Sequence, residues 1–253
     1  MARAARPSGI LTALALIVLG ATLADVVRRV FVHPAPASVV GAGKTSTTAS
    51  TGGSSAEVLV DSAAVRVSGV RAKIAADEGR TYIAGAMLET DSTIRRWPDR
   101  RFARPLQVAV LRRDVDGFRD DFAANVTWAI GRWNGVLPVS LATGADSGAA
   151  DVVITWAPQL DSGKTGRTDL IWDQHGAIHH ALVTLATHDA AGRPLDTARM
   201  SALALHELGH ALGLGHSTRK EDALYPVATA LELTDRDRRT ARLLYELPTG
   251  SIR

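Results

Sequence analysis

The spacing of apolar positions changes several times along the chain, and each change marks an element. Gly9–Ala24 (GILTALALIVLGATLA) runs sixteen residues without a charge, after Arg3 and Arg6. As a helix it spans about 24 Å, short of the roughly 30 Å hydrocarbon core of a bilayer. It reads as the core of a signal peptide or, carried past Asp25 to Val27, as a short membrane anchor. The only small-x-small cleavage pattern close by, Thr22-Leu23-Ala24, is weak, which favours the uncleaved anchor. Arg28 and Arg29 balance Arg3 and Arg6, so flanking charge leaves the orientation open. Residues 33–56 then turn to Ser, Thr, Gly, Ala and Pro with one charge and no aromatic side chain. Such a composition cannot bury a core and is expected to serve as a flexible linker.

Residues 57–94 are open to three readings: a spacer, a pro-segment or an N-terminal extension of the domain. EVLVDSAAVRVSGVRAKIAA fits a strand or a short helix, and TYIAGAMLETDSTIRRW is expected to be helical up to Pro98. Downstream the pattern is clearer. LQVAVL (106–111) predicts a strand. Asp114 and Asp116 offer caps for a helix whose apolar residues Phe118, Phe122, Val126, Ala129 and Trp133 recur at steps of three and four, ending at Asn134-Gly135. VLPVSLA (136–142) and ADVVITW (150–156) predict strands, and a polar loop with Gly163 and Gly166 follows. HGAIHHALVTLA (175–186) predicts another strand, with His179, Ala181, Val183 and Leu185 on one face and Ile178, His180 and Leu182 on the other. A helix is expected from a cap at Asp196 or Thr197 to about Leu212. A last one starts at Thr234, with Asp237 as capping-box partner, and ends before Pro248.

The net charge of +3 is modest, and the densest basic stretch, RRWPDRRFAR (95–104), is expected to be a solvated surface rather than a nucleic-acid site. No nucleic-acid partner is expected. The chain contains no cysteine. Disulfides, thiolate zinc ligands and a cysteine nucleophile are thereby excluded.

One stretch carries chemistry. HELGHALGLGH, His206–His216, gathers three of the chain's eight histidines. His206 and His210, four apart on a helix, project from one face and can share a metal. Gly213 falls where that helix should end, and glycine tolerates the left-handed conformation that lets the chain reverse and return His216 as a third nitrogen ligand. Three neutral imidazoles leave one tetrahedral position for water, the arrangement of a catalytic zinc, and Glu207 is placed to take the proton of that water. A shuffled chain of this composition contains the short motif about 0.7% of the time, and the form with Gly213 and His216 about once in fifty thousand. The longer form is the specific signal.

His206, Glu207, His210, Gly213 and His216 match H-E-x-x-H-x-x-G-x-x-H position by position, and the chain resembles the metzincin zinc peptidases, most of all the matrixins, over about residues 95–247. ADVVITW resembles their strand upstream of the active site, GAIHHALVTLA their substrate-binding edge strand, and HSTRKEDALYPVATALELTDRDRRTARLLYEL their Met-turn and closing helix. The resemblance implies an α+β metzincin-like fold: a twisted mixed sheet, a catalytic helix and a C-terminal helix, with residues 95–253 as the catalytic domain. It implies one catalytic Zn2+ held by His206, His210 and His216. It also implies an endopeptidase acting on protein or peptide substrates with Glu207 as general base. A non-proteolytic, membrane-tethered zinc-binding module is the alternative, and a hydrolase of non-peptide amides a third reading. The expected location is extracytoplasmic, anchored or secreted. Two departures stand out: the Met-turn position is Leu224, and latency through a cysteine thiolate on the zinc is excluded. Leucine has similar volume and is expected to supply the apolar floor. His180 aligns with a structural-zinc ligand of some matrixins, near Asp173, His175, His179 and His188, but the rest of that site is missing and a second zinc is not expected. Tyr225, beside Pro226, is expected to be structural.

Overall fold

The computed structural model describes residues 55–99, 103–111, 115–142 and 149–253, with side chains from residue 64 onward. The expected membrane segment and the linker as far as residue 54 lie outside the described residues, and the linker's last two positions already belong to a helix. Among the described residues no helix is long and apolar enough to cross a membrane. In chain order the elements are α1 (Ser55–Ala76), α2 (Ile83–Glu89), β1 (Thr93–Ile94), β2 (Leu106–Val110), α3 (Asp120–Asn134), β3 (Val139–Leu141) and β4 (Val152–Ala157). After these come β5 (Gly166–Trp172), β6 (Ile178–Ala186), α4 (Thr197–Ala211), α5 (Asp235–Glu246) and β7 (Gly250–Ser251).

The main sheet runs β3-β2-β4-β6-β5, parallel throughout except for the antiparallel edge strand β5. This is the expected mixed sheet, with two corrections. The stretch read as a polar loop contains β5, and β6 is an internal strand rather than the edge. Its side chains show why: Ile178, Ala181, Val183, Leu185 and Ala186 are all fully buried, as in a strand with neighbours on both sides. The strict alternation expected for β6 also fails at one point. Ile171 of β5 pairs with His180 and Trp172 with Ile178, so His179 is an extra residue and Ile178 turns into the core. On β5, Arg167, Asp169 and Ile171 are exposed while Thr168 and Leu170 are half-buried, and Arg167 and Asp169 pair at 2.9 Å. Charges on an open edge discourage unwanted strand pairing.

Helix α4 packs against α3 and against β5 and β6. Phe122, Val126, Ala129 and Trp133 form the buried face of α3, as their spacing predicts. Its start differs: Asp114 lies outside the described residues, and the helix begins after Arg119 with Asp120 and Asp121 in the first turn, where carboxylates favour the positive end of the helix dipole. Phe118 precedes the helix and meets Trp156 edge-on at 5.0 Å. Two tryptophans tie α4 in place. The indole N–H of Trp133 donates to the Leu205 carbonyl and that of Trp97 to the Ala211 carbonyl, both at 2.9 Å. Each indole can thus be fully buried without an unpaired donor, and Trp97 satisfies one of the orphan carbonyls at the helix end. At α4 and α5 the caps are those read from the sequence, whereas the N-cap of α3 is Arg119, not Asp114 or Asp116. The Asp196 carboxylate accepts the Arg199 N–H, and Thr234 and Asp237 form a reciprocal box at α5.

Residues 57–94 differ most from expectation. They form two helices, and the second ends at Glu89 instead of continuing to Pro98. Asp91 and Ser92 take positive φ of 55° and 57°, which breaks the helix and sends Thr93–Ile94 to pair with Ser251 and Gly250. Val70, Ile74, Tyr82, Ile83, Met87 and Ile94 belong to the same core as α3, α4 and the sheet. The basic stretch is likewise less solvated than expected. Arg96 is buried and donates to the carbonyls of Leu247 and Trp97, and the Arg95 guanidinium lies 4.1 Å from the centre of the Trp172 ring.

Candidate metal centre and its cleft

His206, Glu207 and His210 sit on the last two turns of α4, with His206 and Glu207 buried. Gly213 ends the helix at φ +91°, and a Cβ there would lie 2.4 Å from the Arg95 carbonyl oxygen. Both the backbone conformation and the close approach require glycine. The reversal returns His216 to the other two. One nitrogen from each of the three rings lies within 4.8 Å of the others, and the Nε2 atoms of His206 and His210 are 3.0 Å apart.

The second ring nitrogens of the two helical histidines are held. His206 Nδ1 meets the carbonyl of Ala223 and His210 Nδ1 that of Leu214, each at 2.8 Å. A carbonyl only accepts, so each Nδ1 carries the hydrogen and each Nε2 keeps its lone pair for a metal. Burial, reinforced by the neighbouring rings, pushes His206 down to about 4 and His210 down to about 3, so both stay neutral at ordinary pH. Two neutral imidazoles with fixed tautomers and a third converging on them suit a zinc ion and leave room for a fourth ligand. Among the described residues this is the only group of three or more His, Asp or Glu that converges in this way.

Glu207 faces the edge strand. Burial pushes its carboxyl up to about 7, opposed by a hydrogen bond from the Thr168 hydroxyl to Oε2 at 2.6 Å. Gly166, at the start of β5, admits that carboxyl group: a Cβ there would sit 2.2 Å from Glu207 Oε1. Thr168 and Gly166 escaped sequence reasoning because their stretch resembles a loop. The alternation of Thr168, Leu170 and Trp172 was the available signal. Beneath α4, Leu224 is fully buried and its methyl groups press on the backbone of Gly209, between the two helical histidines. It supplies the apolar floor expected of it.

These groups open onto a cleft of about 920 Å³ that runs beside β5. Thr168 and Leu170 of β5, Leu203 of α4, and Pro226 to Thr229 with Leu231 line it. Tyr225 does not line it, and its backbone N–H closes a turn onto the Asp222 carbonyl. The other described histidines lie elsewhere. His179 Nε2 is 3.1 Å from Asp173, whose other oxygen accepts the N–H of His175, while His188 bonds the Thr187 hydroxyl.

A family model described as Matrixin, of the M10 peptidases, matches residues 97–246. No curated protein matches the chain significantly. The matched region is more than half of the sequence and holds the mixed sheet, α4 and all three converging histidines, so the chain belongs to the matrixins, a family of metzincin zinc metallopeptidases.

Proposed function

We propose that this matrixin is a zinc-dependent endopeptidase, with His206, His210 and His216 as the metal ligands and Glu207 as general base. The observation that carries this reading is a buried carboxyl group set between three converging imidazoles and an open edge strand. Bound there, zinc would supply a Lewis acid that lowers the pKa of a water towards 7 and polarises a carbonyl oxygen. The protein's own groups do the rest. A peptide aligns along β5, whose outer edge is unpaired within the sheet, by adding a strand. Glu207 takes a proton from the water that attacks the scissile carbonyl carbon. It returns the proton to the amine nitrogen as the C–N bond breaks. The Thr168 hydroxyl holds the carboxylate in position through both transfers. The substrate strand is β5, not the internal strand β6 to which the sequence pointed.

The uncharged N-terminal stretch, with arginines on both sides, supports an extracytoplasmic enzyme tethered to a membrane. The reading is tested by measuring bound zinc and hydrolysis of an unstructured protein for the wild type and Glu207→Ala. We expect one zinc in both, and chelator-sensitive cleavage by the wild type alone, with turnover reduced by about 10²–10⁴ or more in the variant. Zinc without cleavage in the wild type points to a binding module instead.

A further inference from the structure

Helix α2 and the segment after it, as far as Arg95, lie before the region that matches the family, yet they reach the metal centre at three points, two of them on α2. A Cβ on Gly215 would sit 2.6 Å from the Cβ of Ala86, so the turn that carries His216 lies directly on α2. The Arg95 carbonyl closes against Gly213. Glu89 Oε2 lies 3.3 Å from His216 Nδ1 and 3.4 Å from the His216 backbone nitrogen. Of the three candidate ligands, His216 alone has no carbonyl on its Nδ1 among the described contacts, and a carboxylate stands in that place. Metal-bound imidazoles commonly donate their second N–H to a carboxylate, which fixes the ring and raises its basicity.

A second path reaches His206. The Tyr82 hydroxyl donates to Asp237 Oδ1 at 3.0 Å, and Asp237 Oδ2 accepts the Ala223 N–H at 3.0 Å. The carbonyl of the same Ala223 accepts from His206 Nδ1. Tyr82 is buried and its own N–H bonds the Thr240 hydroxyl, which anchors the front of α2 on α5. Residues just before the matched region thus hold the ligand shell from two sides.

We propose that α2 is a permanent wall of the metal site and that Glu89 is the positioning residue of His216. The inference rests on the zinc site proposed above and concerns affinity, so it is read without turnover. The experiment compares the full chain with Glu89→Gln and Glu89→Ala. Zinc affinity is measured by chelator competition, the cobalt-substituted visible spectrum is recorded, and the unfolding midpoint of each metal-free protein is determined. Glu89 is half exposed, and the metal-free midpoints report whether each variant keeps the fold. We expect the alanine variant to bind zinc about 10- to 100-fold more weakly, with the glutamine variant intermediate. The cobalt bands should shift and the metal-free midpoints stay unchanged. Affinity within twofold of wild type for Glu89→Ala overturns the proposal, as does an affinity loss explained by an equal loss of metal-free stability. A wild type that binds no zinc removes the metal site and this inference with it. As a second measurement, the N-terminus of the active, zinc-loaded chain should lie before Tyr82. A fully active chain beginning after Thr90 also overturns the proposal.

Discussion

The carboxyl group of Glu207 is confined by two residues of β5, and each confines it differently. Thr168 donates to it, whereas Gly166 simply makes no demand on its space. Gly166→Ala places a methyl group 2.2 Å from Oε1 in the present geometry, so the carboxyl group must swing away or the strand must shift. Neither change removes an imidazole ligand. We therefore expect zinc content unchanged and kcat reduced by about 10-fold or more, since small displacements of a catalytic group are costly in rate. Single-turnover kinetics beside metal analysis checks this, and wild-type kcat in the alanine variant would show that Glu207 needs no such clearance. The Leu224 side chain supports the histidines by its volume. Leu224→Ala should cost about 2–5 kcal/mol of stability through the cavity left beneath Gly209. Leu224→Met, close in volume, should cost less than about 1.5 kcal/mol. Urea unfolding of the metal-free proteins separates the two, and equal losses would mean that the floor depends on branching rather than on filling.

The elements differ in how plainly their residues announce them. Helices α3, α4 and α5 were legible because one stripe of each is apolar and their ends carry Asn-Gly, Asp196 and the Thr234–Asp237 pair. The metal ligands were legible for a related reason: His206 and His210 share one helix face, and Gly213 supplies the only backbone that returns His216. The edge strand was not legible. Its sequence, GRTDLIW, mixes charge with apolar side chains because one side of it faces a cleft and its outer edge has no partner strand among the described residues, so the alternation is weak. Helix α2 was misjudged at its end because Asp91 and Ser92, not a proline or glycine, take the left-handed conformation. The loop before α4 shows how a short segment is stiffened by a single carboxylate. Asp189 accepts the Arg193 guanidinium at 2.7 Å and the backbone N–H groups of Ala191 and Arg193. These bonds hold its carboxyl down to about 2, below the roughly 3.9 of an unfolded chain. Between those values the unfolded chain binds more protons. The contribution of Asp189 is therefore complete above about pH 4 and is lost as the pH falls through 2. Denaturant midpoints measured from pH 5 to pH 2 should fall less steeply in Asp189→Asn than in the wild type. Parallel curves would mean that these bonds are not kept in solution.

At the scale of the molecule, the metal centre joins parts of the chain that share little else. His206 and His210 belong to α4, which is pinned by Trp97 and Trp133, while His216 lies on a turn braced by α2 and the Ala223–Leu224 segment holds His206 from below. An ion bound by all three imidazoles ties these parts together in the folded state, and the unfolded chain offers it no such preformed set. Binding to the native state alone stabilises by RT ln(1 + [L]/Kd), about 2.7 kcal/mol at free zinc one hundred times Kd. For a chain of this size that corresponds to roughly 5–10 °C in the unfolding midpoint. A chelator should lower the midpoint by that amount, and added zinc should restore it. The response should separate the ligands from the base. Glu207→Gln keeps all three imidazoles and should show the full chelator shift with no turnover, whereas His206→Ala should show little shift at any zinc concentration used. Calorimetry of the three proteins with and without zinc makes the comparison. A wild-type midpoint indifferent to chelator would mean that the imidazoles, though gathered within 4.8 Å, do not hold a metal that matters to the fold.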